Sequence, residues 1–203
     1  MSYKWNTRTE LLLGAERMEY LSHCHVLVVG LGGVGAYAAE QICRAGIGHM
    51  TIVDADTVND SNINRQLPAL HSTLGMQKAE VVGQRLLDIN PRLKLTILNE
   101  FLRDERTEEV LSAQKYDFIV DAIDSLSPKA YLLYHAYRRE IPIVSSMGAG
   151  AKIDPSQVKI ADISKTCNCA LAKAVRKRLR GMGLNKGIPV VFSTEIANPE
   201  AVV

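Results

Sequence analysis

VLVVGLGGVG, residues 26–35, runs apolar β-formers directly into Gly30, Gly32, Gly33 and Gly35. The pattern reads as a buried strand, a tight glycine turn and the start of a helix. One glycine lets the chain turn, one lets backbone approach a phosphate, and one lets the helix pack closely on the strand. The first turn of a helix leaves N–H groups without carbonyl partners and carries the positive end of the helix dipole, so the turn suits an anion. Taken alone it fits NAD, FAD, S-adenosylmethionine or ATP equally.

Working outward, strand one covers His25–Gly30 and its helix Val34–Ala45, with Gly46 as C-terminal cap. Upstream, residues 1–24 read as short amphipathic helical pieces around Gly14, with Arg8 and Arg17 as their cations. Strand two, Met50–Val53, ends in Asp54 and Asp56. Asp54 lies about twenty residues past the glycine turn, where a dinucleotide fold places the acid that binds a ribose hydroxyl. Residues 54–78 are polar, long and aperiodic, and dense in donors: Asn62, Asn64, Arg65, Gln66 and Lys78. Such a segment in a compact domain is usually functional or disordered. Helices are expected over Gly75–Asn90, Thr107–Ala113 (Thr107 as N-cap) and Pro128–Glu140, and a basic helix over Ala170–Met182. Further strands are expected at Leu93–Leu98, Phe118–Val120, Ile143–Ser146, Val158–Ala161 and Val190–Phe192. This alternation predicts an α/β fold, doubly wound around a mainly parallel, Rossmann-like sheet, in a single domain spanning 1–203 with an N-terminal helical segment 1–24 and a basic C-terminal region 163–203.

Composition narrows the class. With 47% hydrophobic and 23% charged residues the chain is an ordinary globular protein, and a net charge of +2 does not demand a polyanionic partner. The polar opening MSYKWNTRTE has no apolar core of a secretory signal, and no apolar run is long enough to span a bilayer. The four cysteines, Cys24, Cys43, Cys167 and Cys169, do not form a secreted disulfide framework, so a cytoplasmic protein is expected. Cys24 and Cys43 read as buried thiols; the histidines show no metal-ligand spacing.

The polar residues of the strand ends define the chemistry. The glycine turn can hold phosphates, and Asp54 or Asp56 a ribose. Asn62, Arg65 and Lys78 supply an amide and two cations, and Asp124, just beyond strand four, a carboxylate suited to Mg²⁺. Hydride transfer needs neither two cations nor a metal-binding acid. Splitting a nucleoside triphosphate does, because charge spreading over phosphate oxygens must be neutralised. Attack of a carboxylate on the α-phosphate, expelling pyrophosphate, is the implied reaction.

These motifs (GLGGVG, D-x-D, SNINRQ, G-x-x-K and D-A-I-D-S) closely resemble the adenylating domain of the ubiquitin-activating-enzyme-like superfamily. The resemblance implies ATP bound with Mg²⁺: Asp54 on the ribose, Asn62, Arg65 and Lys78 on the triphosphate, and Asp124 on the metal. It also implies that Arg8, six residues before Gly14 in RTELLLG, reaches the partner subunit's γ-phosphate in a homodimer. On this reading Arg8, Arg65, Lys78 and Asp124 are catalytic, while Gly30, Gly32, Gly33, Gly35, Asp54, Asp56, Asn62 and Gln66 complete the ATP site.

Within the superfamily, D-A-I-D-S-x-x-P-K, G-A-G-x-x-I-D-P and V-F-S-T-E look like the tRNA threonylcarbamoyladenosine dehydratase branch. That branch uses ATP to activate the carboxylate of the modified adenosine and closes it to a cyclic hydantoin, releasing AMP. A tRNA substrate is a polyanion, and Lys173, Arg176, Lys177, Arg178 and Arg180 share one short predicted helix that could meet its phosphates. Carrier-adenylating members usually hold structural zinc on two C-x-x-C pairs; here only Cys167-x-Cys169 is present, so no zinc is expected. The chain departs from the branch at Lys165-Thr166-Cys167-Asn168-Cys169, where an Asp-Pro pair is missing. It also ends at Val203, without the Gly-rich apolar tail expected of the branch. A sulfur-relay protein remains a possible partner. The alternatives are adenylation of a small ubiquitin-like sulfur carrier, and a non-catalytic nucleotide-binding module.

Overall fold

The computed structural model describes residues 4–201. Residues 1–3 of the N-terminal segment and 202–203 of the basic C-terminal region lie outside the described residues. Two compact units are present among the described residues, 4–101 with 115–118, and 102–114 with 119–201.

The N-terminal unit contains α1 (Thr7–Leu13), α2 (Ala15–His23), β1 (His25–Val29), α3 (Gly35–Arg44), β2 (His49–Val53), α4 (Lys78–Ile89) and β3 (Lys94–Leu98). Its strands pair in the order β3-β2-β1, all parallel, with His25 opposite His49 and His49 opposite Lys94. Every residue of β1 is buried, as expected for a strand covered on both faces. Gly48 is demanded by packing: a Cβ there would lie 1.6 Å from the Ser22 carbonyl oxygen of α2. The unit also encloses His25, whose Nε2 lies 2.9 Å from Thr51 Oγ1 and whose ring sits 4.7 Å from that of Tyr116. Burial, reinforced by His49, holds His25 below its ordinary value of 6.5.

Residues 54–78 are more ordered than their sequence predicts. Two 3-10 turns, Asp60–Asn62 and His71–Thr73, break the segment, and a bridge joins Thr57 to Gln77. That bridge, with Gly75 at φ +79° donating its N–H to Val58 O, delays α4 to Lys78 instead of Gly75.

The C-terminal unit contains α5 (Glu105–Ala113), β4 (Phe118–Asp121, of which 119–121 belong here), α6 (Leu126–Arg138), β5 (Ile143–Ser146), β6 (Val158–Asp162), α7 (Ala170–Gly181) and β7 (Pro189–Ser193). The strand order is β4-β5-β7-β6; β5 runs parallel to β4 and β7, whereas β6 pairs antiparallel with β7. The fold is thus mainly parallel, Rossmann-like α/β, with β6 the one antiparallel strand among the described residues. Thr107 does not cap α5. The helix starts at Glu105 after Asp104, the acidic Glu105 and Glu108 favour its N-terminal turn, and Thr107 is fully buried within it. Helix α6 likewise begins earlier than predicted, after Ser125, leaving Pro128 in the first turn where its missing N–H costs nothing.

Candidate functional site

The glycine turn and Asp54 form one structure. Gly30 takes φ +88°, a backbone conformation that favours glycine, and donates its N–H to Val53 O at 2.8 Å. Asp54, at the end of β2, accepts the Leu31 N–H on Oδ2 at 2.6 Å and the Asp56 N–H on Oδ1 at 2.8 Å. The acid expected on a ribose therefore also holds the glycine turn against β2. Burial pushes its carboxyl above the ordinary 3.8, against the pull of those two amides and of Lys78. A carboxylate has about four acceptor positions, so both oxygens retain capacity for a ligand hydroxyl.

Of the remaining candidates of this unit, Gln66 and Arg65 lie beside the turn and Lys78 lies against Asp56. A Cβ on Gly32 would lie 3.6 Å from Gln66 Nε2, and one on Gly33 would lie 3.6 Å from the Arg65 carbonyl oxygen and 3.7 Å from its side chain. Arg65 is exposed; its Nη1 donates to Ser61 O at 3.0 Å and Asn64 Oδ1 at 2.8 Å, which leaves the rest of the guanidinium fork open. Lys78 opens α4 but is not a free cation. It is 5% exposed and donates to Asp56 Oδ2 at 2.9 Å, so Asp56 is committed to Lys78 through that oxygen. Asn62 is buried and shapes the loop, accepting the Asn59 N–H on Oδ1 at 3.2 Å. Gln66 Oε1 is buried without a partner among the described residues, a polar atom for which a bound molecule could supply the donor. Gly35 is the first residue of α3, so the helix N-terminus is where the sequence places it.

Two candidates stand apart from this cluster in sequence. Arg8 is exposed on α1. Asp124, in the C-terminal unit, is exposed beyond β4 and forms no ion pair or side-chain hydrogen bond among the described residues. Beneath it lies a group that the sequence did not single out. Lys129 and Asp121 are both fully buried and meet at 2.8 Å. The only available clue was the phrase D-A-I-D-S-x-x-P-K, which carries no mark that its lysine turns inward.

Helix α7 buries Ala172, Val175 and Leu179 and exposes Lys173, Lys177, Arg178 and Arg180. Arg176 does not join that exposed set: its Nη1 donates to the Thr166 carbonyl at 3.0 Å and to Thr166 Oγ1. Cys169 occupies the cap position of α7, its Sγ accepting the Ala172 N–H at 3.4 Å, while Cys167 is exposed. Cys24 and Cys43 are buried, and burial pushes the Cys43 thiol up to about 11. Glu195 of V-F-S-T-E also went unread in the sequence. Its carboxylate accepts the N–H groups of Ile153 and Asp154, clasping the G-A-G-x-x-I-D-P loop.

The residues present fit a nucleoside triphosphate. A glycine turn with no side chain opens α3, a ribose-competent acid follows β2, Arg65 and Gln66 flank the turn, and Lys78 is paired with Asp56. Asp124 of the C-terminal unit, exposed and without a side-chain partner among the described residues, is a carboxylate of the kind that holds Mg²⁺.

A family model, that of the ThiF family, matches residues 3–197. The chain is 43% identical over 189 residues to the tRNA threonylcarbamoyladenosine dehydratase of Bacillus subtilis, covering 93% of this chain and 74% of that one. It is 39% identical to the Escherichia coli enzyme of the same name, covering 96% and 76% respectively. A crystal structure of the E. coli tRNA N6-threonylcarbamoyladenosine dehydratase in complex with ATP superposes with a TM-score of 0.92 at 37% identity, over 97% of this chain and 84% of that one.

Proposed function

The chain belongs to the ThiF family, and from that premise we propose that it is an ATP-dependent tRNA threonylcarbamoyladenosine dehydratase. The observation that carries this reading is the match over nearly the whole chain to a dehydratase solved with ATP. The identity of 43% to a second dehydratase supports it.

A free carboxylate resists ring closure because oxide is a poor leaving group. In the proposed reaction an oxygen of the substrate carboxylate attacks the α-phosphorus of ATP, and the bond to pyrophosphate breaks. A substrate nitrogen then attacks the activated carbonyl carbon, the C–O bond to AMP breaks, and the nitrogen's proton leaves. The product is the cyclic hydantoin, one water lighter than the starting base. The protein's contribution is orientation and charge. The amides of the turn and of α3 hold phosphate, Asp54 accepts a ribose hydroxyl, and Arg65 and Lys78 offset charge on the phosphate oxygens. Asn62 and Gln66 line the same loop. Asp124 would hold Mg²⁺, which when bound would supply positive charge to phosphate oxygens. The chain acts as one adenylating domain in the cytoplasm and pairs as a homodimer in which Arg8 serves the partner's site. The exposed cations of α7 receive the tRNA.

The test mixes the protein, ATP and Mg²⁺ with tRNA bearing threonylcarbamoyladenosine. The expected result is stoichiometric AMP and a tRNA nucleoside lighter by one water. Unchanged nucleoside mass with folded protein sinks the reading, and pyrophosphate exchange that depends on a carrier protein ending in Gly-Gly would instead favour carrier adenylation.

A further inference from the structure

We propose that the buried Lys129–Asp121 pair is a positioning device for Asp124, fixing its loop so that the carboxylate is presented to the metal accompanying the nucleotide. The proposal rests on the ATP reading given above.

Lys129 is fully buried and is among the largest such side chains in the chain. Removing an ammonium and a carboxylate from water is costly, and a well-packed apolar pair is often as stable or more so. A lysine in this place therefore calls for something apolar packing cannot supply, namely directed hydrogen bonds. Lys129 Nζ donates to Asp121 Oδ2 at 2.8 Å and to the Ile123 carbonyl at 2.8 Å. Asp121 in turn accepts the Ile123 N–H on Oδ1 at 3.0 Å and the Ser145 hydroxyl on Oδ2 at 2.5 Å. Both backbone groups of Ile123 are thus held, one by each member of the pair. The members come from different elements: Asp121 ends β4, Lys129 lies in α6 and Ser145 in β5.

Asp124 is the next residue. Its own side chain is exposed and makes no ion pair or side-chain hydrogen bond among the described residues, so only the backbone on either side sets where it starts. On the far side, Ser125 O accepts the Lys129 N–H at 3.3 Å. The loop is therefore anchored on both sides of Asp124 through Lys129, and the carboxylate is left free. Groups that orient a metal ligand without touching the metal typically contribute about 10- to 100-fold in affinity.

The test compares three variants with wild type. Asp121→Asn/Lys129→Met removes both charges together, so no buried ion is left unpaired, but loses the lysine bridge to Ile123. Ser145→Ala removes only one donor to Asp121. Asp124→Asn sets the floor. Mn²⁺ binding in the presence of α,β-methylene ATP is followed by electron paramagnetic resonance, alongside Mg²⁺ half-saturation of AMP formation. The double variant should weaken Mn²⁺ binding by about 10- to 100-fold, approaching Asp124→Asn, and Ser145→Ala should weaken it by a smaller factor in the same direction. Metal-free affinity for the nucleotide should stay within about two-fold of wild type, which a general loosening of the fold would not allow. A folded double variant with wild-type Mn²⁺ affinity overturns the proposal. If that variant does not fold, unchanged Mn²⁺ affinity in Ser145→Ala overturns it. Failure of the wild type itself to bind the Mn²⁺–nucleotide overturns the ATP reading, and this proposal with it.

Discussion

Lys78 and Arg65, the two cations of the proposed nucleotide site, stand in different surroundings, and their replacements should separate accordingly. The Lys78 ammonium is buried, but its partner Asp56 is 54% exposed, so Lys78→Ala leaves that carboxylate solvated rather than stranded. The expected loss of stability from the ion pair is about 1 kcal/mol or less. Arg65 is exposed and Arg65→Ala should cost less still. Each change should nevertheless lower the single-turnover rate of AMP formation by about 10²–10³-fold, the scale of removing one preorganised charge-stabilising donor. Urea unfolding checks the premise: loss of a cooperative transition in either variant would mean that a structural residue has been mistaken for a catalytic one. At this scale the sequence was legible where spacing carries the meaning. Asp54, Arg65 and Gln66 lie where strand ends and motif distances put them, at the turn. It was not legible where tertiary burial decides. Nothing local distinguishes the fully buried Lys129 from the exposed Lys173, or shows that Arg176 folds back onto Thr166 while Arg178 faces solvent.

Elements were read well where periodicity is strong and poorly at their ends. The all-buried β1 follows directly from its apolar run, and α7 forms where a basic helix is expected and packs on an apolar stripe, whereas α4, α5 and α6 begin where a positive-φ glycine, an aspartate and a serine place them. The stripe matters for function. Because α7 is held by Ala172, Val175 and Leu179, its exposed cations are available for replacement without disturbing the packed face. Changing Lys177, Arg178 and Arg180 together to alanine should raise KM for tRNA and leave kcat at saturating tRNA and the affinity for ATP nearly unchanged. The slope of log affinity against log salt should flatten by about 0.7–0.9 for each tRNA phosphate that the variant no longer neutralises. Filter binding over a salt series reads this directly, and an unchanged slope would remove α7 from the tRNA surface.

At the scale of the whole molecule, alternation of strand and helix made the α/β class legible, but the direction of β6 was not. Its short stretch Val158–Asp162 reads like any other strand, and only its pairing with β7 shows that it runs antiparallel. Pairing with a second copy, as proposed above, is still harder to read from one chain. Helix α1 has no buried residue, and Leu11 and Leu12 are 78% and 81% exposed on the same helix as Arg8. Two adjacent leucines left in water on a single helical turn suit a contact with another copy, in which Arg8 would be carried toward that copy's nucleotide. The arrangement has a consequence for mixtures. Arg8→Ala and Asp124→Ala should each be inactive alone. In a heterodimer of the two, one site combines an intact Asp124 with an intact Arg8 from its partner, and the other site lacks both. Random exchange makes about half of the dimers mixed, so about a quarter of wild-type activity should return. If Arg8 instead serves its own chain, every site in the mixture lacks one group or the other and nothing returns. AMP formation after co-refolding the two variants, against each refolded alone, decides between these outcomes.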